Sequence, residues 1–565
     1  MFDSFIQYHY KALLAIALIF GALIIIFKNR RSDRRKPPLA PDALPILGHS
    51  KLFLKDLTKL ASIISNSTNP EKFLRFRFPF DDLWVARGSS HIINILSDPK
   101  TFDFGPMKSM VLRRILGLLG EVVKVANNDD SGVGSKPLPN TNVPPHKRFN
   151  YLEHKATQDF SRPSSHAAFV HHFEENLYYW VEHCEITADA WVTFPDLYTF
   201  TRDVIFRTTT DAFFGPHLLQ QNPSLAKDIW TFDENVPFLA KGLPNFLNPK
   251  AANARTRCRQ AFKNWRDFAL KGRIPPNELP EWNEVSGLKC MSLRNLVFEQ
   301  FEEWAQDENS CAASDFAVLF GLTSNIVRAT FWFFLETLQS KHDLLPDATN
   351  EILRATNTTN SPEANGPPRF TTDKLLSMPL LQSIYAETLR KYVSVLMVRQ
   401  TRREAKVGSW KIPLGQKVPV CNYSEHMNEQ LWNPEGVEHE TSTGGEHPIS
   451  KFWGRRFVRY KGAERRSKAE DHSKSGEQTQ ATAAKFSTEG LRHKWFPFGF
   501  GERICPGRQF AKHQMLLTFA LFSRVFDIEL MVAEGWKPGP DIQFFGYGIM
   551  PPEEKTPFRI RKRRG

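Results

Sequence analysis

The pattern of apolar and polar positions separates one continuous apolar run from a long series of helix-period segments and a few stretches of strand character. Residues 12–27, ALLAIALIFGALIIIF, carry no polar side chain. As a helix they extend about 24 Å, slightly short of a thin bilayer's hydrocarbon core of roughly 27 Å. Phe5, Ile6, Tyr8 and Tyr10 extend the run, and Lys11 can snorkel to the interface. Residues 37–50, PPLAPDALPILGHS, form a proline-rich strap of restricted backbone. Residues 76–99 show strand-like pieces followed by a short helix, 127–145 read as loop, and 146–182 carry a basic and aromatic helical pattern. Residues 315–339 predict a long apolar helix. It carries Asn325 and Arg328 and lacks basic flanks, which points to a core helix rather than a second membrane span. Residues 380–395 predict an amphipathic helix, and 507–526 another. Residues 356–368 are a polar loop, and 438–448 and 461–485 are charged low-complexity segments read as surface insertions. No internal repeat is present. The pattern predicts a mainly α chain with a small peripheral β-sheet.

Charge sharpens the reading of the amino end. Residues 28–36, KNRRSDRRK, follow the apolar run. Positive charge on that side keeps it in the cytosol. A cleaved signal peptide is the other reading, but its basic cluster precedes the run and a small-residue cleavage site follows it. The expected organisation is a lumenal 1–11, a transmembrane signal anchor at 12–27, a basic and proline-rich linker at 28–50, and a body at 51–565 with its charged insertion near 461–485.

The formal charge of +13 favours anionic neighbours, such as lipid, an acidic protein or nucleic acid. Zinc-finger spacing and an aromatic-studded basic stripe are both missing, so nucleic acid is not an expected partner. The 6 cysteines among 565 residues form no C-x-x-C pair and no disulfide framework, which points to a reducing compartment for the body.

One cysteine stands apart. Residues 496–511 read FPFGFGERICPGRQFA, with Cys505 among glycines, prolines and aromatics. A buried structural thiol is the ordinary reading of a lone cysteine. The alternative is a loop shaped to hold a thiolate. Glycines 499, 501 and 507 would take positive φ and turn N–H groups toward the sulfur. The helix after it would favour negative charge at its N-terminus. Phe498 would shield the sulfur, and Arg503 would meet an anion beside whatever the sulfur holds. The constellation F-x-x-G-x-R-x-C-x-G runs from Phe498 to Gly507 without a gap.

This constellation resembles the cytochrome P450 family, in which the loop's cysteine is the axial ligand of a haem. The resemblance implies a haem-thiolate monooxygenase fold behind an N-terminal membrane anchor. It implies haem b as cofactor, with Cys505 on the iron and Phe498, Gly501, Arg503 and Gly507 around it. The family's Glu-x-x-Arg pattern occurs three times, and its helical context selects Glu387 and Arg390. Arg399, nine residues on, stands where the family places a propionate-binding arginine, and Lys147 and Arg148 are further propionate candidates. FWGRRF resembles the family's Pro-x-Arg-Phe segment, with Gly454 for the proline and Arg456 completing a Glu387–Arg390–Arg456 network.

The pattern breaks at the distal helix. LFGLTSNIVRATFW puts Asn325 and Ile326 where the family commonly has an acid and a threonine. This departure is similar to the sterol 7α-hydroxylase and prostacyclin synthase subgroup, where an Asn and a following Ala-x-Phe-Trp recur. Here those are Asn325, Ala329, Phe331 and Trp332. Asn325 orienting water, helped by a hydroxyl from Thr323 or Thr330, is the catalytic expectation. A bland reading leaves Asn325 satisfying a helix carbonyl.

The resemblance implies a monooxygenase of the endoplasmic reticulum membrane, its body cytosolic, taking electrons from NADPH through a reductase. The substrate would be lipophilic: a sterol, terpenoid, polyketide or fatty-acid derivative. Lys494, Arg508 and Lys512 would form a basic face for the reductase. A reductase-independent isomerase or dehydratase of a lipid peroxide is the alternative. A non-catalytic membrane haem sensor is the third.

Overall fold

The computed structural model describes residues 20–21, 36–44, 47–65, 73–79, 81–340, 342–356, 367–432, 447–460 and 484–564. Most of the anchor at 12–27, of the basic run, of the polar loop and of the two charged insertions lies outside the described residues. The chain divides into two compact units, residues 1–107 with 396–425, and residues 108–395 with 426–565.

The smaller unit is built on antiparallel pairing. β1 (Leu74–Arg77) pairs with β2 (Asp82–Val85), Leu74 opposite Val85. A helix, Ser89–Ser97, follows. β3 (Phe102–Asp103) pairs with residues 400–401 of β4 (Val393–Thr401). β5 (Lys417–Cys421) runs antiparallel to residues 396–400 and makes two parallel pairings, Lys417 with Leu83 and Val420 with Ala86. Valines at 418 and 420 are buried, so the sheet keeps a dry face.

The larger unit is helical. The pattern at 146–182 appears as two helices, α1 (Phe149–Gln158) and α2 (Pro163–His183). The break falls at Pro163, whose missing N–H is harmless at the start of a helix and disruptive inside one. α3 (Glu308–Gln339) is 32 residues long and begins seven residues before the pattern at 315–339, because Asp307 caps it by accepting from Ser310 N–H at 3.0 Å. It is the one helix among the described residues long and apolar enough to cross a membrane, and most of it is buried inside the protein. Phe331, Trp332, Phe333 and Phe334 are all buried, each stabilising the fold by about 1.5–3 kcal/mol. α4 (Pro379–Tyr392) and α5 (Arg508–Val525) pack against one another and α3. Trp332 stacks on Tyr392 with ring centroids 3.9 Å apart. β6 (Tyr547–Ile549) pairs with residues 393–395.

Candidate active site

The cysteine loop is closed by its own backbone. Cys505 N–H donates to Phe498 C=O at 2.9 Å, Gly499 N–H to Phe496 C=O at 3.1 Å, and Ile504 N–H to Gly501 C=O at 3.1 Å. Gly499 and Gly501 have φ of 78° and 71°, a region closed to most side chains. Gly507 differs from the sequence expectation: its φ is −77°, because it is the cap of α5 rather than part of the turn. A Cβ there would lie 3.8 Å from Cys505 Sγ, an ordinary contact, so neither backbone nor space demands glycine at this position.

Cys505 is exposed at the surface of its loop. Desolvation by the surrounding atoms pushes the thiol up from its ordinary value, while the Gly507 N–H and Arg508 pull it down. Coordination of a metal ion by the sulfur would remove the thiol proton outright. The Arg508 side chain donates to Cys505 C=O at 3.1 Å.

Beneath the loop lies a buried ionic network. Glu387 accepts from Arg390 Nε at 2.7 Å and Nη2 at 2.9 Å, and from Arg456 Nε at 3.0 and 3.1 Å. Trp453 N–H adds a bond at 3.0 Å. Glu387 and Arg390 are fully buried. Burial would raise the Glu387 carboxyl, but Arg390 and Arg456 outweigh it and hold the group below the usual carboxylate range. Gly454 lets the segment fit, since a side chain there would press within 3 Å of Leu344. Of the other two Glu-x-x-Arg patterns, Glu351 instead caps α4, accepting from Leu380 and Leu381 N–H. Arg354 is largely exposed and 3.9 Å from it.

The network reaches the cysteine loop through His426, which sequence reasoning missed. Arg390 Nη1 donates to His426 C=O at 3.0 Å, and Phe496 N–H donates to His426 Nε2 at 3.2 Å. Burial first, then the Arg390 charge, lowers His426 to about 3. A second missed residue is His154 on α1. Its buried Nε2 has no hydrogen-bond partner, and it is lowered by burial and by the nearby Arg503. Lys147 is exposed, and half-buried Arg148 donates to Val143 C=O at 2.8 Å.

In the smaller unit, Arg399 is 4% exposed. Its Nη1 donates to Val398 C=O at 3.3 Å, its guanidinium lies 5.2 Å from the centre of the Phe104 ring, and burial lowers it to about 10 against the pull of Asp103. Asp103 forms its ion pair with Arg402. Among the described residues no carboxylate pairs with Arg399.

The residues of the larger unit fit a haem: Cys505 offers one soft sulfur for iron, and Arg503 and His154 are polar groups suited to carboxylates.

On α3, Thr323 and Thr330 are buried and donate to the carbonyls of Leu319 and Ile326, each at 2.8 Å. Asn325 is exposed, and its Oδ1 accepts from Ile549 N–H at 2.8 Å. Ile326 is buried.

A thiol loop capping a helix above a buried Glu–Arg–Arg network defines a haem-thiolate enzyme. The family model for cytochrome P450 matches residues 152–438 and 481–555, and the chain belongs to that family. It is 34% identical to cytochrome P450 monooxygenase fsoE of Humicola fuscoatra, over 66% of this chain and 63% of that protein. It is 29% identical to cytochrome P450 monooxygenase efuG of Hormonema carpetanum, over 98% of this chain and 96% of the relative. Cholesterol 7-alpha-monooxygenase of Cricetulus griseus is 23% identical over 66% of this chain and 67% of its own length. The chain is a haem-thiolate monooxygenase that uses haem iron and receives electrons indirectly from NADPH.

Proposed function

We propose that the protein is a monooxygenase anchored in the endoplasmic reticulum membrane that oxidises a lipophilic substrate, a sterol, terpenoid, polyketide or fatty-acid derivative. The loop that presents Cys505 at the start of α5 carries this reading. Cys505 would hold the haem iron, and Arg503 and His154 would answer propionates; for Arg399 that role rests on the family resemblance alone. Bound haem supplies oxygen activation; the protein's residues do the rest. Phe498 and the loop glycines hold the sulfur, and the Glu387 network keeps the loop in register through His426.

The distal face supports a lipophilic substrate. Ala317, Val318, Gly321 and Leu322 are open or half-open along α3, and none offers a side-chain hydrogen bond. Of the three distal candidates, Asn325 faces this stripe. Thr323 or Thr330 would have to release its helix carbonyl to reach a substrate. A sterol or terpenoid skeleton is supported by the cholesterol named for the hamster relative.

The lack of an open acid or alcohol on this stripe favours one second reading, rearrangement of a lipid peroxide without reductase. The two separate on cofactor demand. Full-length protein in membranes is incubated with a lipid extract, with and without NADPH and reductase. Product only with NADPH supports oxygenation, and conversion of a hydroperoxide without it overturns that reading. Reduced protein with carbon monoxide should show the red-shifted Soret band of thiolate ligation, and Cys505→Ser should lose it.

A further inference from the structure

Asn325 is the polar end of the open stripe on α3. Ala317, Val318, Gly321, Leu322 and Asn325 recur at helical spacing on one face, whereas residues 326–338 are buried. From Gly321 a side chain would meet nothing within 4 Å. The stripe is therefore roomy, apolar and closed off by one amide.

That amide cannot turn freely. Ile549 N–H is a donor, so it must face Oδ1, and the chemistry of the bond assigns the two amide atoms. Among the described residues no acceptor takes Nδ2. Gly548 makes the approach possible: its φ is 137°, and a Cβ would lie 2.2 Å from Asn325 Oδ1. The same backbone is held twice more from α3. Arg328 Nη1 donates to Ile549 C=O at 3.0 Å, and Trp332 Nε1 donates to Met550 C=O at 2.8 Å. Positions 325, 328 and 332 thus fasten residues 549–550 to the helix. Arg328 is itself fixed by a buried ion pair with Asp233, which also accepts from Ser324 at 2.5 Å.

We propose that Asn325 is a one-way hydrogen-bond donor. Its oxygen is locked by Ile549, and its Nδ2 is turned to the open stripe, where it takes an oxygen acceptor on an otherwise apolar substrate. A ketone, ether or hydroxyl oxygen satisfies it; a plain hydrocarbon leaves it unpaired. An acid at this position would accept where Asn325 donates, so the departure from the family's usual residue inverts the polarity of the contact. The proposal rests on the haem-thiolate reading of the site.

The test uses full-length, haem-loaded protein with carbon monoxide as the oxygen-bearing probe, read by the infrared C–O stretch of the reduced complex. A donor beside the probe's oxygen lowers that stretch. Asn325→Leu should raise it, and Asn325→Asp should raise it at least as far, because the carboxylate keeps the Ile549 bond while replacing donor by acceptor. Gly548→Ala should raise it too, by displacing the amide without altering it. A stretch unmoved in Asn325→Asp and Gly548→Ala overturns the proposal even if Asn325→Leu does not fold. A parent protein without the thiolate-type Soret band would instead overturn the haem-thiolate reading beneath it.

Discussion

Phe496 donates its backbone N–H to the ring Nε2 of His426 at 3.2 Å, across seventy positions of sequence. Arg390 donates to the carbonyl of the same histidine, so one residue joins the buried charge network to the first turn of the cysteine loop. Replacing His426 with phenylalanine keeps the ring and removes the acceptor. The Phe496 N–H is then buried without a partner, a cost of about 1–3 kcal/mol. The expected outcome is a lower thermal midpoint and faster haem loss to apomyoglobin. Equal rates in the variant and parent would show that the bond does not position the loop.

The same histidine sets an acid limit. Its folded value is about 3 and its ordinary value 6.5. Between these the unfolded chain binds a proton that the folded chain does not, so stability falls as pH falls from about 6.5 toward about 3. Glu387, held low by its arginines, acts in the same direction below the ordinary carboxylate range. Denaturant midpoints measured across this window should decline with acid, and the His426→Phe variant should decline less steeply from 6.5.

Glu387→Ala leaves two buried guanidiniums without their carboxylate. Breaking a buried pair in this way costs about 3–5 kcal/mol. The variant should express with little haem, whereas Arg354→Ala, at an exposed position 3.9 Å from its glutamate, should keep the parent's spectrum and melting point.

How much of this was legible in the sequence follows from where each interaction's partners lie. The cysteine loop could be read because its chemistry is contiguous: two positive-φ glycines, the sulfur and the capped helix fall within a dozen residues. Glu387 and Arg390 were readable as an i, i+3 pair on a helix, and Arg456 through its aromatic context. His426 and His154 were not, because the groups that set their surroundings come from remote segments and a lone histidine has no pattern. Gly507 misled because glycine permits positive φ without requiring it. Asn325 stood out as a departure, yet its bond to Ile549 joins positions that no local periodicity connects. Helix boundaries moved for identifiable local reasons, Pro163 splitting one segment and Asp307 extending another.

Electron delivery offers a further check. Arg508 is exposed beside the cysteine loop, whereas Lys494 and Lys512 donate inward, to Leu431 C=O at 2.7 Å and Gln382 at 2.6 Å. A reductase steered by charge therefore meets Arg508 more than either lysine. Arg508→Glu should slow first-electron transfer by roughly tenfold at low salt and flatten its ionic-strength dependence. Lys512→Gln should change it far less. The opposite ranking would place the docking face elsewhere.

The distal threonines separate structure from turnover. Thr323 and Thr330 are buried, and each hydroxyl donates to the carbonyl four residues earlier on α3. Valine at either position removes that bond and leaves the helix ladder intact, so the expected loss is about 0.5–1.5 kcal/mol of stability. Product formed per NADPH should stay near the parent's value. Asn325→Ala should lower that ratio and raise hydrogen peroxide release, with the resting haem spectrum retained, because Asn325 is the one hydrogen-bonding side chain at this end of the open stripe. Measuring product, NADPH and peroxide together in all three variants decides the matter. A Thr330→Val enzyme that uncouples while Asn325→Ala does not would mean that the threonine leaves its carbonyl during turnover and that the working face of α3 lies about 140° further around the helix.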